Sequence, residues 1–305
     1  MKEVLIPILK LFFLLSAGFV ARKTGIIHKD TTRGMSGLLV KITFPAMIFS
    51  SMQKPFTPEL LREGLTALLI SVCVYALFLA AAVLAGLLFR VPAKDKGVYR
   101  FALLFSNIGF MGFPILSSIF GEEVLFHASM FNIPFPLLTY TLGAWFLGRD
   151  GDASHPLHPK SLLSPGIIAT VLGFICFIFS VPLPEPLSGG IKLLGDVTTP
   201  LSMLLIGSLL TEIPVRDLLT EWKIYLVSFL KLAVFPAVIM MSVFAVTDNP
   251  ALRAVSVTLG SMPVAVNAPL MAHEYGGNEI LATRLVVVST FLSMITLPVV
   301  MLFLR

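Results

Sequence analysis

Charge is what this chain has least of: 13% of its 305 residues are Asp, Glu, Lys or Arg, against 56% that are hydrophobic. With a mean hydropathy of +0.93, it carries more apolar surface than a soluble core of this size could hide, which excludes a water-soluble globular class. Cysteine is nearly missing too. Cys73 and Cys176 stand far apart within apolar runs, so there is no disulfide framework, and both are expected to act as packing residues. No Ser/His, paired-Asp or HExxH arrangement lies in the apolar stretches, which argues against an intramembrane enzyme. No glycine-rich Lys-Ser/Thr phosphate loop is present to couple nucleotide hydrolysis. His155 and His158 fall in a polar connection and are expected to be solvent-exposed bystanders, so no metal and no cofactor is called for.

What is present is length enough to cross a bilayer many times. Ten apolar stretches of roughly 17–25 residues can each span a hydrocarbon layer of about 30 Å as a helix. They are Val4–Ala21, Gly34–Met52, Gly64–Phe89, Val98–Phe120, Val124–Leu147, Pro165–Ser180, Gly189–Leu210, Trp222–Val246, Ala251–His273 and Glu279–Leu304, numbered helices 1 to 10. The first is expected to remain as a helix rather than a cleaved signal, because Arg22 and Lys23 follow it and no small-residue cleavage pattern appears.

Orientation follows from Lys and Arg, which gather on the cytoplasmic side. With the N-terminus outside, thirteen of them fall in cytoplasmic loops and six outside, while Lys10, Lys41 and Lys231 lie within apolar spans. Both termini are then extracellular or periplasmic, in a multi-pass protein of the plasma (inner) membrane. The pI near 9.3 expresses this loop bias and does not point to nucleic acid. The partners expected are membrane lipid and a small-molecule substrate.

Two halves can be recognised at one offset. Leu38, Leu39, Thr43, Pro45, Pro114 and Gly121 become, on adding 155, Leu193, Leu194, Thr198, Pro200, Pro269 and Gly276. A duplication predicts a first five-helix repeat over 1–150, a cytoplasmic linker over 151–164 within the polar connection Gly148–Ser164, and a second repeat over 165–305. Five helices is an odd number, so the second repeat enters the membrane inverted. The predicted fold is an all-α polytopic membrane protein of ten transmembrane helices in a 5+5 inverted repeat.

The candidate site lies where helices 4 and 9 carry helix breakers beside an amide. Helix 4 contains Asn107, Gly112 and Pro114; helix 9 contains Pro263, Asn267 and Pro269. A proline within a helix removes one backbone hydrogen bond and collides with the carbonyl four residues back, here those of Phe110 and Ala265. Freed backbone at membrane depth is tolerated only where protein or a watery cavity meets it. If both helices unwind where they cross, half-helix N-termini favour a carboxylate or phosphate, and Asn107 and Asn267 add neutral donors without an unpaired charge.

The segments Asn107-Ile-Gly-Phe-Met-Gly-Phe-Pro114 and Met262-Pro263-Val-Ala-Val-Asn267-Ala-Pro-Leu-Met-Ala-His-Glu-Tyr275-Gly276 resemble the two best-marked motifs of the auxin efflux carrier family. That family includes plant auxin carriers and bacterial permeases for malate and malonate. The resemblance covers the whole chain and implies that helices 4 and 9 cross, as in sodium/proton antiporters and bile-acid symporters. It also implies a substrate carboxylate near the Asn of helix 4, a mobile bundle working against a scaffold of helices 1, 2, 6 and 7, and a homodimer through that scaffold. Asn107, Pro114, Pro263 and Asn267 carry the motif; Pro269 is a departure that adds a second proline to helix 9.

Other polar groups in the spans extend the site. Asn132, within Asn132-Ile-Pro134-Phe-Pro136, is a candidate for the substrate cavity. Lys41 and Asp196 are themselves 155 apart and are expected to pair, either structurally or in coupling. His127 and His273 are candidates for a proton relay but lie near helix ends. The reading that results is a secondary carrier exporting or exchanging small organic anions, such as carboxylates or auxin-like acids, by alternating access. Its rival, a cation/proton antiporter or Na+-coupled symporter of the same crossed plan, expects acidic residues at the crossing. Glu122, Glu123 and Glu274 lie only at the ends of helices 4 and 9.

Overall fold

The computed structural model describes residues 2–88, 91–150, 164–212 and 221–304, and among them it is helical throughout, with no β-strand. Most of the predicted linker lies outside the described residues. In chain order the helices are α1 (Lys2–Lys23), α2 (Lys29–Ser51), α3 (Pro58–Leu88), α4 (Ala93–Leu104), α5 (Ile108–Phe120), α6 (Leu125–Asn132), α7 (Pro134–Leu138) and α8 (Ala144–Asp150). They continue as α9 (Pro165–Ile178), α10 (Glu185–Asp196), α11 (Thr198–Leu209), α12 (Trp222–Val246), α13 (Pro250–Gly260), α14 (Ala268–Glu274) and α15 (Glu279–Phe303). Among the described residues six helical stretches are long and apolar enough to cross a membrane: Val4–Lys23, Lys29–Ser51, Pro58–Gly86, Glu185–Leu209, Trp222–Val246 and Glu279–Phe303. Two shorter apolar helices, Ile108–Phe120 and Pro165–Ile178, accompany them.

Prolines are absorbed in a recurrent way. The π turns Leu39–Thr43, Ile108–Gly112 and Leu230–Val234 each run directly into Phe-Pro, at Phe44-Pro45, Phe113-Pro114 and Phe235-Pro236. In each the Phe N–H donates to the carbonyl five residues back, that of Leu39, Ile108 or Leu230. Widening the turn by one residue relieves the collision that a proline ring imposes on the turn before it, so the helix continues through.

Packing falls into two groups. In the first, α1 lies along α11, and α2 along α9 and α10. The α1–α11 pair approaches backbone to backbone: a Cβ on Gly18 would meet the carbonyl of Leu204, and one on Gly207 the carbonyl of Leu15. In the second, α3 packs on α4 and α6, α13 on α12, α3 and α6, and α15 on α12 and α14. The largest apolar cluster fills this second group, with Phe78, Phe101, Phe105, Phe113, Phe235 and Val264 buried in it. Cys73 is exposed and Cys176 half-buried, so the expectation that both pack internally fails for Cys73. On a chain read as spanning lipid, an exposed apolar side chain has hydrocarbon to face.

Candidate functional site

The two interrupted helices meet. After α4 the backbone leaves helical geometry at Phe105–Asn107, and after α13 it does so over Ser261–Asn267. Ser106 and Val264 form an isolated antiparallel bridge. Asn107 N–H donates to the Pro263 carbonyl at 2.8 Å, and Ala265 N–H donates to the Phe105 carbonyl at 3.1 Å. Each break thus supplies the other with the partners that its own helix has lost. The neighbouring Val264 N–H donates to Ser289 Oγ on α15 at 3.1 Å. At membrane depth an unsatisfied backbone group costs several kcal/mol, so this closure is what allows two irregular segments to stand inside an apolar bundle.

Break and prolines do not coincide in the first half. Pro114 lies in the first turn of the α-helical part of α5, after the π turn, seven residues beyond Asn107. In the second half Pro263 lies within the break, and Pro269 is an early residue of α14. The expected free carbonyl of Ala265 is not free: it accepts from Ala268 N–H at 3.0 Å. Gly112 lets α5 approach the other break, since a Cβ there would stand 2.6 Å from Leu259 Cδ2 and 3.3 Å from Met262 Cγ.

Asn107 is the residue before α5, and Asn267 the residue before α14. Asn249 and Asn278 hold the same place before α13 and α15, and there the side-chain oxygen accepts from the first-turn amides. Neither Asn107 nor Asn267 caps in this way. The backbone at Asn107, φ −75° and ψ 60°, is an inverse γ-turn, closed by Ile108 N–H to the Ser106 carbonyl at 2.8 Å. Most residues adopt that conformation, so the choice of Asn concerns its side chain. Asn107 is 3% exposed and its Nδ2 has no partner; Ser106 Oγ beside it is buried and unpaired as well. An unpaired buried donor costs about 1–3 kcal/mol. It stands next to the N-terminus of α5, where the first amides have no acceptor within their own helix and the partial charge is positive.

The remaining candidates divide. Asn132 is buried with Oδ1 unpaired, one turn before Phe135, whose ring meets Phe105 edge-on at 5.8 Å; this puts its helix beside the crossing. Asn267 is half-buried. Lys41 and Asp196 do not form the expected pair: both are exposed, and no ion pair among the described residues joins them. Asp196 instead acts electrostatically on Lys192, one turn earlier on α10. His127 is buried, with Nε2 2.9 Å from Glu63 Oε2, while Asn249 Nδ2 donates to Glu63 Oε1 at 2.6 Å. That ties α3, α6 and α13 together. His273 pairs with Glu279 at 2.9 Å in an exposed position.

A cavity of about 510 Å³ opens between the end of α2, the length of α10 and the turn after α5. Four carboxylates line it, Glu122, Glu123, Glu185 and Asp196, against Lys54 and Lys192. Lys192 Nζ lies 3.0 Å from Glu122 Oε2, and Lys54 Nζ donates to the Glu123 carbonyl at 3.0 Å. Burial holds the Lys54 ammonium below its usual pKa range, partly offset by Glu123. Ser117 lines this cavity, and Asn107 does not. Ten helical residues separate the two, or about 15 Å of rise. The T-shaped pair Phe44–Phe113, at 5.0 Å, lies in between along α5, and Phe44 also covers Gly109.

Several residues of this site had no expectation attached. Val264 lies in the helix 9 motif, but nothing there marks its backbone as a partner; Ser106 and Ser289 carry no sequence signal, and Lys231 had one only as a charge in an apolar span.

Long apolar helices and a pair of mutually bonded helix breaks suit a multi-pass membrane protein. The chain belongs to the membrane transport protein family, the auxin efflux carrier family of the sequence resemblance, whose model matches residues 3–301. An uncharacterized transporter from Methanothermobacter thermautotrophicus is 23% identical over 299 residues, covering 95% of each chain. A Rhizobium meliloti protein provisionally named as a malonate transporter is 23% identical over 307 residues, covering 97% of this chain and 94% of its own. The uncharacterized transporter YfdV of Escherichia coli is 21% identical over 304 residues, covering 96% and 94%.

Proposed function

We propose that this chain is a secondary active transporter of small organic anions, carboxylates first among them, working by alternating access without covalent chemistry. The observation that carries the reading is the Asn107 amide, buried and unpaired at the N-terminus of α5 where the two breaks bond. A carboxylate there accepts from Asn107 Nδ2 and gains from the positive helix end. The provisional malonate name of the Rhizobium meliloti relative supports the same substrate class. The wider reading has ten spans in two inverted five-helix repeats, over 1–150 and 165–305, with α4–α5 crossing α13–α14. It places the protein in the plasma (inner) membrane, with both termini outside and a homodimer formed through α1, α2, α9, α10 and α11. The closer packing of α1 on α11 and of α2 on α9 and α10 than on the remaining helices supports a scaffold and a moving bundle.

The test is carboxylate binding and uptake in proteoliposomes, with H+ and Na+ gradients imposed separately. Asn107→Ala should weaken binding by about 1–3 kcal/mol through the lost charge-assisted hydrogen bond, with folding intact. Asn107→Asp places a fixed negative charge beside the substrate carboxylate and should abolish anion binding. Anion binding undiminished in Asn107→Asp, or cation binding gained by it, overturns the assignment.

The acidic lining of the cavity favours one secondary reading, a cation/proton antiporter or Na+-coupled symporter. Glu122, Glu123, Glu185 and Asp196 outnumber Lys54 and Lys192 there and would attract a cation toward the bundle. In that case flux follows the imposed H+ or Na+ gradient, and Asp196→Asn reduces the gradient dependence while leaving carboxylate affinity at equilibrium unchanged.

A further inference from the structure

Lys231 is wholly buried in α12, and no carboxylate pairs with it among the described residues. A buried lysine without a counter-ion is costly to keep inside a span, so whatever holds its amine there is specific. Its Nζ donates to the Leu103 carbonyl at 3.1 Å and stands over the Phe78 ring, 5.2 Å from the centroid. Phe78 in turn stacks on Phe235 at 4.6 Å, four residues along α12 from Lys231. Lys231 lies in the π turn Leu230–Val234, a local insertion of the kind that recurs at functional positions.

The identity of the acceptor matters. Leu103 is the penultimate residue of α4, and in an unbroken α-helix its carbonyl would accept from the N–H of Asn107 four residues later. That N–H is committed across the crossing to Pro263. Lys231 therefore takes up the acceptor that the crossing leaves behind, and it does so at the C-terminal end of a helix, where the last carbonyls lack partners within their own helix.

We propose that Lys231 is a positioning residue for the crossing: by holding the Leu103 carbonyl it keeps α4 from continuing through Asn107, so that the Asn107 N–H stays bonded to Pro263 and its side-chain amide stays where substrate meets it. The inference rests on the reading of the crossing as the substrate site, but its first measurement needs no substrate.

Hydrogen exchange by mass spectrometry on the full chain in nanodiscs, with peptides covering 101–110 and 260–267, reads the crossing bonds directly. Lys231→Met should raise exchange in both peptides by about tenfold or more, with the peptides of α1 and α11 unchanged. Lys231→Arg keeps a donor at that reach and should restore protection. Should Lys231→Met yield no folded protein, Lys231→Gln is read by the same criterion, because its side chain is one bond too short to reach Leu103. Protection at the crossing equal to wild type, a rise spread evenly through every helix, or an Arg variant as exposed as the Met variant each overturns the proposal. Carboxylate binding then follows: weakened in the Met variant and recovered in the Arg variant. If wild type binds no organic anion, the functional reading fails while the exchange result stands. If exchange is unmoved while Asn107 variants lose anion binding, the role of Lys231 fails alone.

Discussion

Replacing Asn107 by Leu should make the protein more stable and less useful. The side chain is 3% exposed, its Nδ2 has no partner, and the inverse γ-turn at φ −75°, ψ 60° asks nothing of it that Leu cannot supply. A buried donor left unsatisfied costs about 1–3 kcal/mol. Leu removes that penalty and adds apolar burial, at an overpacking cost of about 1 kcal/mol for its branched end. The net expectation for Asn107→Leu is a gain of roughly 1–2 kcal/mol. Ser71→Ala provides the opposite sign, because the Ser71 hydroxyl already donates to the Phe131 carbonyl at 2.6 Å and its loss should cost about 1 kcal/mol. Thermal unfolding of the purified protein in one detergent, scanned at one rate, orders the two variants against wild type. Carboxylate uptake in proteoliposomes supplies the second axis. Asn107→Leu unfolding at or below the wild-type temperature means that the amide is already satisfied in the fold. Retained uptake in that variant means that the amide does not bind substrate. Either result removes the basis of the site assignment.

Three further outcomes follow from the packing and topology. Gly207→Ala should destabilise by about 1–3 kcal/mol or more, because its Cβ falls on the Leu15 carbonyl, a backbone atom that cannot rotate away; unchanged thermal unfolding would mean that α1 and α11 are farther apart. Lys41→Gln and Asp196→Asn should act additively on stability, since no ion pair joins the two; a coupling above about 0.5 kcal/mol in the double-mutant cycle would restore the pair. In a background lacking Cys73 and Cys176, Ser188→Cys should react with an impermeant thiol reagent added to intact cells and Ser154→Cys should not. The reverse pattern inverts the orientation.

The parts of this fold that depend on composition were legible from the sequence, and the parts that depend on a partner were not. Apolar runs gave the long helices because lipid exposure selects side chains one residue at a time. Glycine, proline and asparagine marked where helices 4 and 9 fail, yet not the residue at which they fail. Pro114 is accommodated by a π turn, and the break falls at Phe105–Asn107 because Pro263 and Val264 are there to receive it. A bond between backbones more than 150 residues apart leaves no trace in either local sequence. The same limit explains the two charges. Lys41 and Asp196 stand 155 residues apart, the offset of the predicted repeat, but equal spacing does not mean adjacency, and the neighbour of Asp196 is Lys192 on its own helix. Lys231 was visible as a cation within a span; its partner, a main-chain carbonyl, has no side-chain signature to search for.

The crossing also constrains how transport can proceed. Pulling the breaks apart would expose the Asn107 and Ala265 amides and the Phe105 and Pro263 carbonyls at membrane depth, four groups at several kcal/mol each, with little there to replace the lost bonds. Moving them together costs nothing of that kind. Under the proposed alternating access, α4, α5, α13 and α14 travel as one body, with α15 held to it through Ser289 and α12 through Lys231. The surface left to slide is the one against α1 and α11, where α1 meets α5 and α11 meets the π turn after Asn107. The Asn107 amide, the proposed substrate contact, stands at the edge of that surface. A shift along it can bring Asn107 toward one face of the membrane or the other without breaking the bonds that hold the crossing together.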